Sequence, residues 1–404
     1  MTKKNTLIAA LLATGALTAS ADSFTLKDVK TDFGICVDAG LTVTITDDKG
    51  QKHTYVSDGT FFFNDATDGP FQPGNTNEIT VTTNTYIRNL YLDATGASDF
   101  KVGALSRLEV LNLSHINMAE LDLAKVPELQ TLILSNNDQL THLNLTKQTK
   151  LRKLLVSGVK IEDLDLASAN ITDLWIDNAR LSGTLDLSKQ NHLRCLNVSA
   201  NLDGHLDHVL LSGTTAAKAA LEYVDLSHNY LFYDSFPTVF DKQKQTYTAI
   251  NNLGEQRPFH YVDYFTPGEQ YDLTDLIRYN AWGAAITPKV ELYRMTKRGD
   301  YTPNAENLLV EGTDFTKVGS YKYTFLTEQP SIFLRVQSDL YPGLTLVTEP
   351  FAITSDPSGI TPVLTNTEST APAYDLQGRA LSPETPGTHP ANLRIQNGRK
   401  TIKH

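Results

Sequence analysis

Through the middle of the chain, apolar residues fall in the spacing apolar-x-x-apolar-x-apolar, and the triplet recurs. One series runs Ile87/Leu90/Leu92, Leu108/Leu111/Leu113, Leu129/Leu132/Leu134, Leu151/Leu154/Val156, Ile171/Leu174/Ile176, Leu193/Leu196/Val198 and Leu221/Val224/Leu226. Its starts lie 21, 21, 22, 20, 22 and 28 residues apart, the period of repeats that each form one coil of a stacked array. The last interval reads as a coil with an insertion from Gly204 to Lys218. A second series lies between the first: Met118/Leu121/Leu123, Leu140/Leu143/Leu145, Ile161/Leu164/Leu166 and, with one residue inserted, Leu181/Leu185/Leu187. Each coil is therefore predicted to carry two strands. Alternation within a strand sends the leucines to one side, and a single coil cannot bury them, so neighbouring coils must stack over a shared core. The pattern predicts a parallel-stranded solenoid over residues 87–251.

Three residues beyond the last apolar position of their strands stand Asn137, Asn201 and Asn229. There an Asn side chain can hydrogen-bond neighbouring backbone as the chain turns. Val159 and Ala179 occupy the equivalent places in the central coils, which predicts a less regular ladder there.

Flanking the solenoid, residues 22–86 alternate in strand fashion (Leu41 to Ile45, Ile79 to Thr82) between turn residues and read as a β-rich cap, which an open solenoid end requires. Beyond Asn251 aromatic strands take over: Tyr261 to Phe265, Val290 to Tyr293, Tyr321 to Phe325, Ile332 to Val336 and Leu344 to Val347. They predict a β-sandwich, Ig-like, over 252–353. Residues 354–372, rich in Ser, Thr and Pro, read as a linker. The remaining 373–404 form a short β tail. In that tail Arg379, Arg394, Arg399, Lys400 and Lys403 outnumber Asp375 and Glu384, a basic end on a chain whose formal net charge is -11. The predicted fold class is thus mainly β: a leucine-rich-repeat solenoid with an N-terminal β cap, then a β-sandwich and a short β C-terminal tail.

The segments LEVLNLSHINMAELDL and LQTLILSNNDQLTHLNL resemble the leucine-rich repeats of secreted and surface proteins of Bacteroidetes-type bacteria, and YPGLTLVTEPFAI resembles the module that follows such repeats. The tail stretches Tyr374 to Arg379 and Asn397 to Lys400 resemble the C-terminal sorting domain of the type IX secretion route, with Pro390-Ala391-Asn392-Leu393 in place of its usual Gly-aromatic-Tyr stretch. The resemblance implies a binding scaffold on the outer surface of a Gram-negative bacterium, or secreted from it. It does not imply a ligand.

The first residues fit export. Lys3 and Lys4 precede an apolar run from Leu7 to Leu17 and a small-residue site, Ala19-Ser20-Ala21, so residues 1–21 read as a signal peptide. No run of the sequence reaches the ~20 apolar residues that span a bilayer. Net acidity disfavours nucleic acid, which needs a basic face. The two cysteines, Cys36 and Cys195, fall in different predicted domains and read as unpaired thiols. A nucleophile elbow, an H-E-x-x-H helix and a phosphate-cradling glycine loop are all lacking. No enzyme, cofactor or metal is therefore expected.

The candidate site is the outward column of the first series, Asn112, Ile133, Leu155, Trp175, Asn197 and Asp225. Its apolar centre, Ile133, Leu155 and Trp175, ringed by Lys153, Asp173 and Tyr223, is expected to contact a protein partner of host or cell-surface origin, since exposed apolar strips mark interaction surfaces. The alternatives are a glycan stacked on Trp175, Tyr223 or Trp282 and a structural role as a surface component. The matching column of the second series, Asp122, Asn144, Asp165 and Asp186, reads as a solvated acidic face, with calcium as the sharper alternative. His205 and His208, beside Asp203 and Asp207, read as a polar loop sooner than as a metal site.

Overall fold

The computed structural model describes residues 21–356 apart from 30–31, 66–68, 72–77, 95, 167–169, 242–245, 250–252, 254–255, 257–263, 298 and 343, and four backbone strands between 373 and 403. The signal-peptide reading, and the linker from 357 onward, lie outside the described residues. The fold is mainly β and its repeats form a solenoid. The chain divides into two compact units, Met1–Ile171 and Thr172–His404, and the division falls within the repeats.

In the first unit the repeat strands Asn89–Asp93, Val110–Ser114, Thr131–Ser135 and Lys153–Ser157 run parallel, residue against residue. Their inward side chains, from Leu90 and Leu92 through Leu132 and Leu134 to Leu154 and Val156, are sealed from solvent. Each such leucine contributes roughly 2–3 kcal/mol of burial. Two strands of the N-terminal segment extend this sheet antiparallel: Phe33–Val37 pairs with Asn89–Asp93, and Phe62–Asn64 pairs with Phe33–Val37. The rest of that segment forms a second, antiparallel sheet of five strands, including Asp99–Ala104, which pairs with Ser23–Lys27. Asp22 is tied in by accepting the backbone N–H of Ile87 at 2.7 Å. Burial raises its carboxyl pKa against that bond and the charge of Arg107.

The second series is only partly strand. His142–Asn144 and Asp163–Asp165 pair in parallel, but Met118, Leu121 and Leu123, although buried, lie on irregular backbone. That segment closes turns on itself, Ala124 donating to the Asp122 carboxylate and Val126 to the Leu123 carbonyl.

In the second unit, Asp173–Asp177, Cys195–Asn197 and Tyr223–Asp225 continue the parallel register among themselves. Gly204 to Lys218 is not an insertion into an otherwise plain coil. It holds Leu206–Leu211, which pairs in parallel with Gly183–Leu187, followed by the helix Thr215–Ala220 capped by the Thr214 hydroxyl. The long interval is thus a coil with its own second strand and a helical return.

The asparagines act as the spacing implied. Asn201 donates to the carbonyls of Ile176, Val198 and Ser199 and accepts from Leu181. Asn229 donates to Val198, Leu226 and Ser227 and accepts from Asn201. Asn137 does likewise in the first unit. Val159 and Ala179 are buried at their equivalent places and bring no such side-chain donor. Gln256 carries the ladder one step beyond the last leucine triplet, donating to Leu226 and Leu253 and accepting from Leu231. Just before these positions the backbone turns left-handed, at His115, Asn136, Gly158, Asn178, Ala200 and His228. Gly158 fits because a Cβ there would stand 2.8 Å from the Asn136 amide oxygen.

The aromatic strands pack as two sheets, Tyr264–Phe265, Phe351–Ile353, Gln329–Gln337 and Lys289–Arg294 against Gln270–Asp272, Lys322–Phe325 and Phe315–Val318. Phe265, Tyr271, Phe325 and Phe351 meet between them. The sandwich is clamped to the last coil by Tyr233, which donates to Val336, and Tyr341, which donates to Phe236, their rings stacked at 5.4 Å. Within it the buried Asp314 accepts from Arg294 and the Val310 N–H. Burial raises its pKa, but those donors outweigh burial and hold the carboxyl below the usual range. Because the folded value is depressed, this stabilisation is present above the unfolded carboxyl pKa and lost as pH falls through the folded one. Asp314→Asn is therefore expected to cost roughly 1–3 kcal/mol at neutral pH, with the deficit shrinking below about pH 4 in denaturant titrations of both chains.

The tail forms four antiparallel strands, Ala380–Leu381, Ala373–Tyr374, Asn392–Gln396 and Arg399–Lys403 in spatial order. Among the described residues no helix is long and apolar enough to cross a membrane.

Candidate functional site

Outward side chains of the first unit's repeat sheet line up in rows because every strand pairs in register. Cys36, Tyr91, Asn112, Ile133 and Leu155 form one row across five strands. Ile133 and Leu155 are half-buried neighbours on this face, and Lys153 stands exposed beside them. They are not fully open as expected, since adjacent outward side chains in a flat parallel sheet cover one another's flanks.

Sequence reasoning missed the aromatic end of this face. Phe63 lies opposite Gly34, whose outward neighbour on the other side is Asp93. Phe63 is 64% and Phe61 40% exposed, and their rings stack at 5.3 Å. Gly34 makes room for them: a Cβ there would stand 2.8 Å from the Phe63 ring. Phe62 turns the opposite way and stacks on Tyr55 and His53. The available signal was the run Phe61-Phe62-Phe63, but its placement depends on an antiparallel pairing that a repeat period does not encode.

In the second unit Trp175 and Tyr223 stack at 5.5 Å with their planes 8° apart, both half-buried. Asp173 is not an open rim residue. It is buried and accepts a 2.7 Å charge-assisted bond from Arg194, which also reaches Glu222. Between Asp173 and Tyr223 in the register stands Cys195. Its thiol is pushed up by burial and by Asp173, against the charge of Arg194. The thiol of Cys36 is raised by burial and by the charges of Asp38 and Asp58. Both cysteines are free thiols, and neither is activated as a nucleophile.

The acidic column of the second series serves its own turns. Asp122 accepts from Ala124, Asn144 from Thr146, and Asp186 from Ser188. His205 stacks on Tyr230 and His208 faces Asp234 at 3.5 Å, so the two imidazoles sit in separate pairings. Among the described residues no cluster of three or more His, Cys, Asp or Glu is arranged to hold a metal. Trp282 is half-buried beneath the Lys218 ammonium. A shallow cleft in the first unit, lined by Tyr86, Arg88, Ser106, Arg107, Glu109 and Glu128, has its charges engaged: Arg107 lies over Tyr86 at 4.1 Å and Arg88 pairs with Glu109.

No protein-family model matches this chain, and no curated protein matches it. Solved structures similar to parts of it include two from one bacterium. One is the functional domain of InlJ from Listeria monocytogenes, which includes a cysteine ladder, at 15% identity and a TM-score of 0.39 over 62% of this chain and 49% of that one. The other is an internalin, inlF, from Listeria monocytogenes str. 4b F2365, at 17% identity and a TM-score of 0.26 over 38% of this chain and 50% of that one. The chain thus spans about half the length of each.

Proposed function

We propose that this chain is a secreted or cell-surface binding protein, adhesin-like, that recognises a protein partner through the outward face of its repeat strands and catalyses no reaction. The observation that carries this reading is the contrast between the two sides of the repeat strands. Inward leucines are sealed from solvent, while the outward rows present half-buried apolar and aromatic side chains: Ile133 and Leu155 in the first unit, Trp175 and Tyr223 in the second. Partly exposed apolar rows on a rigid sheet supply contact energy at low ordering cost. Lys153 in the first unit, and in the second Arg194, held by the buried Asp173, supply polar groups beside these rows.

In the same proposal residues 1–21 direct export, 22–86 cap the solenoid of 87–251, 252–353 form the sandwich, 354–372 link, and 373–404 act as a sorting-type tail on the outer surface of a Gram-negative bacterium of the Bacteroidetes type. The partner is a host or cell-surface protein. No nucleic acid is expected on a chain of net charge -11.

The test is a screen of the mature chain, residues 22–404, on arrays of extracellular proteins and of glycans. Saturable binding to a protein is expected, weakened about tenfold or more by Leu155→Ser and by Trp175→Ser, each costing upward of about 1.4 kcal/mol of binding; because both side chains are half-buried, each variant should also melt somewhat lower, and binding is compared below both melting transitions. Binding confined to glycans and lost on Trp175→Ser or Trp282→Ala would establish the glycan reading instead. Protein binding indifferent to both serine variants would remove the repeat face from the account.

A further inference from the structure

Asp22 stands just before the first strand of the cap, Ser23–Lys27, and is 1% exposed. A carboxylate so enclosed is costly unless its oxygens are bonded. One of them is: Oδ2 accepts the Ile87 N–H at 2.7 Å, which ties the cap to the first residue of the first leucine triplet. The backbone carbonyl is engaged as well, by the Thr83 N–H at 3.0 Å. Oδ1, equally buried, has no hydrogen-bond partner among the described residues.

The nearby cation does not fill that place. Arg107 acts on the carboxyl through its charge, but its guanidinium lies over the Tyr86 ring at 4.1 Å. Burial outweighs this charge and the Ile87 bond together, so a further donor would be strongly favoured, and a cationic one most of all. The residue itself can supply it. Ala21 is exposed, so the amide joining it to Asp22 lies at the edge of the enclosure, and the small residues Ala19-Ser20-Ala21 end at that amide. Hydrolysis there breaks the C–N bond and leaves the hydroxyl of water on the Ala21 carbonyl carbon. The Asp22 nitrogen takes the other proton of water and the one that the new Ala21 carboxyl releases, and becomes an α-ammonium. One uncharged N–H is thus replaced by three charged donors within a single residue of Oδ1.

We infer that the Asp22 carboxylate is the receptor for the α-ammonium released by cleavage between Ala21 and Asp22, so that removal of residues 1–21 completes the bonding that holds the cap to the first coil. This rests on the export reading of those residues and deepens it. The uncleaved chain leaves the enclosed carboxylate short of a donor, and the processed chain is the more stable form.

The experiment compares residues 22–404, released from a fusion by cleavage before Asp22, with the same chain acetylated at its α-amine and with a chain that retains Ala21. Followed by its pH-dependent reaction with an acylating reagent, the α-amine of the first chain is expected to titrate about one unit above its ordinary value of roughly 8. Its unfolding constant in denaturant should be about tenfold lower than in the other two. Because folding raises the pKa of the amine, this advantage is present below the unfolded value and lost as pH rises through the folded one. Asp22→Asn, made in all three chains, should return the amine to ordinary titration and make the three equally stable. Equal stability of the three parent chains, an amine that titrates at its ordinary value, or a difference that persists in Asp22→Asn would overturn the assignment. The export reading is tested apart, by the first residue of the exported chain. A residue other than Asp22 would end that reading and this inference with it, whereas Asp22 there with a silent comparison would end the inference alone.

Discussion

Exchange of Asn201 for Leu is expected to destabilise the second unit by about 3–5 kcal/mol, read as a shift in its denaturant midpoint. The Asn201 side chain is sealed from solvent and makes four hydrogen bonds to backbone, three as donor and one as acceptor. Leucine leaves the Ile176 carbonyl without this donor and the Leu181 N–H without its acceptor, and each buried polar group so orphaned costs about 1–3 kcal/mol, while the Val198 carbonyl keeps its bond from Asn229. Relaxation and water entry recover part of the sum. Nor does the loss stop at one coil, because the backbone N–H of Asn201 itself donates to the Asn229 side chain. Ala179 shows that a coil can form with an apolar residue at this place, so the variant is expected to fold and to be measurable. A loss below about 1 kcal/mol would mean that the ladder merely accompanies the turn.

A similar loss, about 3–5 kcal/mol in the first unit, is expected for Leu132→Ala. Leu132 is fully buried between Leu111 and Leu154 in the register of three parallel strands. Coils stacked in register have little freedom to collapse into the space, because moving one strand breaks pairing with both neighbours. Ile133→Ala, one residue along on the opposite face, should cost less than half as much. The contrast between adjacent residues is more telling than either value.

The repeat period was the most legible feature. Leucines at fixed spacing admit one arrangement that buries them all, and the strands and register followed from it. The Asn ladder was legible at Asn137, Asn201 and Asn229 for the same reason. Gln256 was not, since it stands beyond the last leucine triplet and replaces Asn with a longer side chain. The second series formed strands only in part: His142–Asn144, Asp163–Asp165 and Gly183–Leu187 pair, whereas Met118 to Leu123 lies off any strand although Asp122, Asn144 and Asp186 accept the same kind of turn bond. What the period could not convey was pairing between distant segments. Phe33–Val37 and Phe62–Asn64 join the repeat sheet from the N-terminal cap, and Asp99–Ala104 leaves it to pair with Ser23–Lys27. Ile133 and Leu155 stand side by side in the register of the first unit and Trp175 lies half-buried in the second, but the residues around them differ from the expectation. Asp173 is drawn down by Arg194, Trp175 is covered on one face by Tyr223, and Phe63, the most exposed aromatic residue among those described, was not among the candidates.

The account turns on alternate side chains of each repeat strand dividing between a sealed interior and an accessible outer face. Hydroxyl-radical footprinting of the folded mature chain, resolved by residue, measures that division directly. Phe63, Trp175 and Tyr223 should oxidise readily and Ile133 and Leu155 at intermediate rates, while Leu132, Leu154, Leu174 and Leu196 stay protected. Equal labelling of Ile133 and Leu132, or full protection of the outward set, would contradict it.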